Sequence, residues 1–264
     1  MDLGLKDKTA LVTGATAGIG FAIARTLARE GAHVVLTGRH EETVARAVDR
    51  IVAAGVPGSV RGVAADCASA AGARHVFGAV EDVDILVNNL GVYERRPFFE
   101  ITDDEWTRLF EVNVLSGIRF ARHYAPRMAG RRWGRAVFVS SESALNIPRE
   151  MIHYGTTKTA QLSIMRGLAM EMAGTGVTVN ALLPGPTRTE NGERIRAERA
   201  RAAGISVPQL EAEFFERFRP TSLARRFADA QEVANLAAYL CGEVSSATNG
   251  AALRVDGGVV NQIM

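Results

Sequence analysis

Residues 9–20 read T-A-L-V-T-G-A-T-A-G-I-G. A short β-prone run from Thr9 to Thr13 gives way to glycines at 14, 18 and 20, and the stretch from Ile19 to Arg29 then spaces its apolar residues as a helix does. Glycines between a strand and a helix permit a tight turn and bring backbone N–H groups and the helix N-terminus close to a pyrophosphate. The loop therefore reads as a dinucleotide site. Its spacing is G-x-x-x-G-x-G, and no G-K-[ST] follows, which disfavours the P-loop of a nucleoside triphosphatase.

Outward from this turn, the chain repeats a short apolar run, a turn and an amphipathic stretch, the pattern of βαβ units building a parallel sheet. Strands are expected at Thr9 to Thr13, His33 to Thr37, Val60 to Ala65, Asp84 to Asn88, Arg135 to Ser140, Val177 to Leu182 and Ala252 to Val255. Helices are expected at Ile19 to Arg29, Glu41 to Ala54, Ala70 to Val80, Asp104 to Met128, Ile152 to Ala173 and Ala230 to Cys241. The fold class is α/β: one doubly wound, Rossmann-type parallel sheet of about seven strands flanked by helices. No repeat or Pro/Gly linker divides the 264 residues, so a single domain over 1–264 is expected. The long excursion at 186–228 reads as a substrate lid, with Leu210, Phe214 and Phe218 on one helical stripe.

With 47% apolar and 23% charged residues and a formal charge of +2, the composition is globular and calls for neither nucleic acid nor an anionic membrane. The arginines of 194–201 are interspersed with glutamates, and Arg131, Arg132 and Arg135 read as a solvated turn. Cys67 and Cys241 are the two cysteines; without C-x-x-C spacing they predict neither disulfide nor metal site, and reduced thiols fit a cytoplasmic protein. No leader segment and no apolar run of membrane-spanning length is legible, so a soluble, unexported chain is expected.

Two features carry chemistry. The second strand ends in T-G-R-H, where Gly38 removes the carboxylate that would meet an NAD ribose and Arg39 can pair with a 2'-phosphate, so NADP(H) is favoured over NAD. Of 31 basic residues only three are lysines, Lys6, Lys8 and Lys158, and Lys158 follows Tyr154 by four in Y-G-T-T-K. On a helix that spacing puts phenol and ammonium on one face, where a close positive charge favours the phenolate. Upstream, Ser140 and Ser141 close the strand R-A-V-F-V-S-S at the carboxyl end, where ligands bind in such sheets. His153 points away from the Tyr/Lys face and reads as a packing residue.

In order along the chain, T-G-x-x-x-G-I-G, N-N-L-G from Asn88 to Gly91, Ser141 and Y-x-x-x-K resemble the short-chain dehydrogenase/reductase family over nearly the whole length. The resemblance implies an NADP-dependent oxidoreductase moving a hydride between nicotinamide and a small carbonyl or alcohol substrate. It implies Tyr154 as general acid or base, Lys158 tuning the phenol and binding the nicotinamide ribose, Ser141 rather than Ser140 holding the carbonyl, and Asn113 of F-E-V-N-V holding a water in a relay to the lysine. It further implies cofactor contacts from Gly14, Thr16, Gly18, Ile19, Gly20, Arg39, Asp66, Cys67, Asn89, Gly91, Pro184, Gly185, Thr187 and Thr189, besides Tyr154 and Lys158. Leu90 departs from the family's alanine, and Ala17 stands where many NADP-dependent members place a basic residue, leaving most phosphate recognition to Arg39. A homotetramer or dimer built on the helices at 104–128 and 152–173 is also implied. The substrate pocket would lie between the excursion and residues 92–99 and 142–152, where Tyr93, Ile147 and Met151 point to an apolar substrate. A second reading is a non-catalytic NADP-binding module that senses redox state and regulates a partner.

Overall fold

The computed structural model describes residues 2–263. The glycine turn sits between β1 (Thr9–Val12) and α1 (Gly18–Arg29), and the βαβ alternation continues through β2 (His33–Gly38), α2 (Glu41–Val52), β3 (Val60–Ala64), α3 (Ala70–Ala79) and β4 (Ile85–Asn88). The second half runs through α4 (Asp103–Phe110), α5 (Ser116–Gly130), β5 (Gly134–Val139), α6 (Ile152–Glu171) and β6 (Val177–Pro184). It ends with β7 (Thr187–Arg188), α7 (Glu190–Ala203), α8 (Val207–Arg217), β8 (Ala228–Asp229), α9 (Ala230–Cys241) and β9 (Ala252–Val255).

Seven strands form one parallel sheet in the order β3-β2-β1-β4-β5-β6-β9, each pair held in parallel register, such as Leu11 beside both Val35 and Leu86. Helices cover both faces, so the central strands have no solvated side; every residue of β5 and β6 is buried. One face packs Ile23 and Leu27 of α1 with Val233, Ala237 and Leu240 of α9, and the other packs Val76 of α3 with Phe120 and Tyr124 of α5 and Met165 of α6. Each such large apolar side chain contributes about 1.5–3 kcal/mol on burial. The order reverses beside β1, whose neighbours are β2 and β4, and that switch point opens the crevice at the carboxyl edge.

One expectation is refined and one is corrected. The single helix expected at 104–128 is present, running without a break from Asp103 to Gly130, but it carries a π-turn at Glu111–Leu115 between its α4 and α5 stretches, closed by Ser116 N–H to Glu111 C=O. The apolar spacing runs on through it, which is why the sequence reads as continuous. Arg135 is buried, not solvated: its guanidinium lies 4.6 Å over Trp133 and donates to the carbonyls of Gly134, Gly176 and Gly242. Burial lowers its pKa. The excursion at 186–228 folds as the β7–β8 pair flanking α7 and α8, with Phe214, Phe215 and Phe227 packed at ring distances of 5.1–5.2 Å.

Candidate active site

The glycine turn is built for close approach. Gly14 and Gly18 have φ of +62° and +59°, conformations that side-chain-bearing residues rarely adopt. A Cβ on Gly20 would lie 2.3 Å from Asn89 Nδ2. That amide donates to the carbonyls of Thr13 and Gly14 at 2.9 and 3.0 Å, while the Thr13 hydroxyl accepts from Asn89 and Leu90 N–H. The ends of β1 and β4 are thereby tied together. The N-cap of α1, Ala17, supplies no side-chain acceptor, so the first-turn N–H groups of the helix stay available to an anion.

Beyond β2, a Cβ on Gly38 would lie 2.4 Å from Thr16 Cγ2, and Arg39 stands exposed with no ion pair among the described residues. Asp66 is exposed and holds its own turn through Oδ1 to Ala68 N–H at 3.2 Å. The Cys67 side chain is core: its thiol donates to Thr37 Oγ1 at 3.2 Å, and burial pushes it up to about 11. Any cofactor contact at this position therefore belongs to its main chain. Gly14, Ile19, Gly20, Asn89, Gly91, Pro184, Gly185, Thr187 and Thr189 line one cavity of about 810 Å³, together with Ser141, Tyr154 and Lys158. A glycine wall that leaves backbone N–H groups exposed, with the exposed Arg39 guanidinium following β2, offers the groups needed to hold NADP(H).

The sequence-assigned quartet comes from three places: the end of β5, the π-turn and α6. Ser141 leaves the end of β5, where Ser140 N–H joins Leu182 C=O at 2.8 Å. Its hydroxyl accepts from Ser143 N–H at 3.1 Å and lies near enough to the Tyr154 phenol to favour the phenol's ionised form. Ser140 is turned away: its hydroxyl donates to the Lys158 main-chain carbonyl. Tyr154 and Lys158 share a face of α6. Burial pushes the phenol up to about 12, with the nearby Ser141 hydroxyl opposing it.

Lys158 is buried and pushed down to about 7 by desolvation alone. Its Nζ lies 5.7 Å from the Tyr154 ring centroid and donates to Val139 C=O at 2.9 Å and Gln161 Oε1 at 3.3 Å. The expected depression of the phenol by the lysine is thus absent from this arrangement, in which desolvation outweighs attraction. Asn113 is fully buried on the π-turn behind the cavity. Its side chain holds Val92, accepting from the N–H at 2.8 Å and donating to the carbonyl at 2.9 Å, and donates to Thr157 Oγ1 at 3.0 Å.

Leu210, Phe214 and Phe218 line the cavity, as do Tyr93 and Met151; Ile147 is half-exposed outside it and crowds Gly155. His153 is buried, edge-on to Trp106 at 5.9 Å, and outside the cavity lining. Two features escaped the sequence reading. Glu142 and Arg219, 77 residues apart, form a buried pair in the cavity wall, with Arg219 Nε and an Nη both on Glu142 Oε1 at 2.9 and 2.8 Å. Burial raises the Glu142 carboxyl, with Arg219 opposing, and Oε2 has no protein partner. Gln161 is the other; a polar residue on the inner face of α6, three after Lys158, was its only sequence signal.

The family described as short chain dehydrogenase matches residues 8–200. An uncharacterized oxidoreductase of Bacillus subtilis, YvaG, is 45% identical over 263 residues, covering 100% of both chains. L-sorbose reductase from Gluconobacter frateurii, solved with NADPH and L-sorbose, superposes with a TM-score of 0.93 at 30% identity over 100% of both chains. A 3-oxoacyl (acyl-carrier-protein) reductase from Agrobacterium tumefaciens, solved with NADP bound, gives 0.88 at 30% identity over 97% of this chain and 96% of that one.

Proposed function

The chain belongs to the short-chain dehydrogenase family of oxidoreductases, and from that premise we propose that it interconverts a carbonyl and an alcohol on a small hydroxylated substrate, using NADP(H). The observation that carries this reading is that Tyr154, Ser141 and Lys158 line the same cavity as the glycine turn. When bound, NADPH supplies the hydride. Hydride addition to a carbonyl leaves an alkoxide, which needs a positioned proton donor. Tyr154, with its phenol near 12, stays protonated through neutral pH and can donate, while the Ser141 hydroxyl holds the substrate oxygen. The phenolate that remains shares its helix face with Lys158, whose ammonium can return the proton.

Gly14, Gly18, Gly20 and the start of α1 would hold the pyrophosphate, Thr16, Gly38 and Arg39 the adenosine ribose and its phosphate, and Asp66 the adenine. Asn89 and Gly91 would form the floor, with Ile19, Pro184, Gly185, Thr187 and Thr189 on the nicotinamide side. Known NADP and NADPH complexes of similar structures support the choice of cofactor. The Glu142–Arg219 pair, Ser141 and Ser143 give the cavity a polar wall beneath the aromatic roof of α8, which favours a compact ketone bearing hydroxyls, such as a ketose, over a purely apolar one. The L-sorbose complex supports that class. The segment 186–228 supplies the roof and acts as the lid.

The test is NADPH consumption with a panel of ketoses, 3-oxoacyl thioesters and quinones. Tyr154→Phe should lower kcat about 10²- to 10⁴-fold, the usual contribution of a positioned acid. Absence of turnover above that variant with every member of the panel would overturn the reading.

A further inference from the structure

Gln161 lies seven residues after Tyr154 and three after Lys158, so α6 presents all three towards the sheet's carboxyl edge. It is only 2% exposed. A primary amide placed there costs free energy unless both its ends are bonded. Both are: Nε2 donates to the main-chain carbonyl of Asn113 at 2.5 Å, and Oε1 accepts from Lys158 Nζ at 3.3 Å. The orientation is forced, because a carbonyl requires the amide's donor and an ammonium requires its acceptor. The carbonyl lies in the π-turn, where the regular i→i−4 ladder is interrupted.

We propose that Gln161 is a positioning residue for Lys158: its amide clamps the ammonium to the Asn113 carbonyl and helps keep it charged inside a dry wall of the cavity. The ammonium has three protons, of which Val139 C=O and Gln161 Oε1 take two. No carboxylate shifts it; desolvation alone does. Among the described residues, the groups facing it from β5, the π-turn and the loop after β4 are neutral, namely Val139 C=O, Asn113 and Gly91, and Tyr154 on its own helix is the titratable group beside it. Two carbonyl-type oxygens are thus its hydrogen-bond acceptors among the described residues. Removing one should let the proton leave at lower pH, and replacing it with a carboxylate should hold the proton to higher pH.

The consequence for turnover rests on the proposed role of Lys158 as the cation beside Tyr154, but the bridge itself can be read without turnover. Because only Lys6, Lys8 and Lys158 are lysines, protein labelled with ¹³C at lysine Cε gives three side-chain signals, and Lys158→Arg assigns the one that disappears. Relative to wild type, the Lys158 midpoint should fall in Gln161→Met and rise in Gln161→Glu, each by about threefold or more in ionisation constant, while Lys6 and Lys8 stay fixed. In the kinetic arm, with NADPH and the best ketone, the alkaline limb of kcat should move in the same two directions, with KM for the ketone within about twofold. Gln161→Met should lower kcat and Gln161→Glu should recover part of it. A loss of packing would not move the midpoint in opposite directions. Coincident Lys158 midpoints in all three proteins would overturn the proposal, and so would a Gln161→Met enzyme with wild-type kcat and alkaline limb. If wild type turns over no carbonyl, the proposed activity falls, and the titration still decides the bridge.

Discussion

At the scale of single residues, the site depends on atoms that are missing as much as on those present. Gly38 has no room for a side chain, since a Cβ would lie 2.4 Å from Thr16 Cγ2 and 3.0 Å from Val44 Cγ2. A carboxylate there would repel a 2'-phosphate and also collide with Thr16. Gly38→Asp should therefore abolish the melting shift given by NADPH without creating one with NADH, and adding Thr16→Ala should create it; a NADH shift in the single variant would contradict the steric part. Lys158 makes a second case. Its folded value near 7 lies below the ordinary 10.5, so between those values the unfolded chain binds more protons and stability rises with pH. The cost of burying this charge is full below that window and fades through it. Comparing melting temperatures at about pH 6 and about pH 10, Lys158→Met should lose ground to wild type as pH rises; the opposite slope would contradict the desolvation argument. Lys158 was legible from its spacing to Tyr154, whereas its hydrogen-bond partners were not, because Val139 meets it only after β5 packs on α6, and the inward turn of Gln161 is set by its bond to the distant Asn113 carbonyl. Arg135 was misread for a similar reason: R-R-W-G-R looks solvated until three carbonyls from separate segments surround one guanidinium.

At the scale of elements, the glycine turn, the alternation of strands and helices and the face shared by Tyr154 and Lys158 could be read because each is fixed by contacts close in sequence. The π-turn could not, since its residues continue the apolar pattern of their neighbours. Nor could the Glu142–Arg219 pair, whose members belong to segments 77 residues apart. Helix ends follow local rules more faithfully. Gly204 ends α7 at φ +66°, with nothing within 4 Å of where a Cβ would stand, so the strain of Gly204→Ala is conformational rather than steric. It should cost about 1 kcal/mol in denaturant unfolding. Gly78→Ala, equally unhindered but inside α3, should stabilise by about 0.5–1 kcal/mol. Equal signs for the two would refute this account of the backbone.

At the scale of the whole molecule, one sheet edge gathers everything the proposed chemistry uses, because the strand order reverses beside β1 and the loops after β1, β4, β5 and β6 converge there. We propose that two or four such chains associate through α4–α5 and α6. Light scattering should give a molar mass of two or four times 28.3 kDa, and a monomer at micromolar concentration would refute it. The π-turn has a consequence at this scale as well. A helix advances about 100° per residue, so the surplus residue of a π-turn resets the angular phase of everything after it. Leu109 before it and Phe120 and Tyr124 after it all reach the interior. A chimera joining α4 of one relative to α5 of another keeps both halves facing inward only if its junction carries the same surplus; one residue fewer would roll Phe120 and Tyr124 out of register with the sheet.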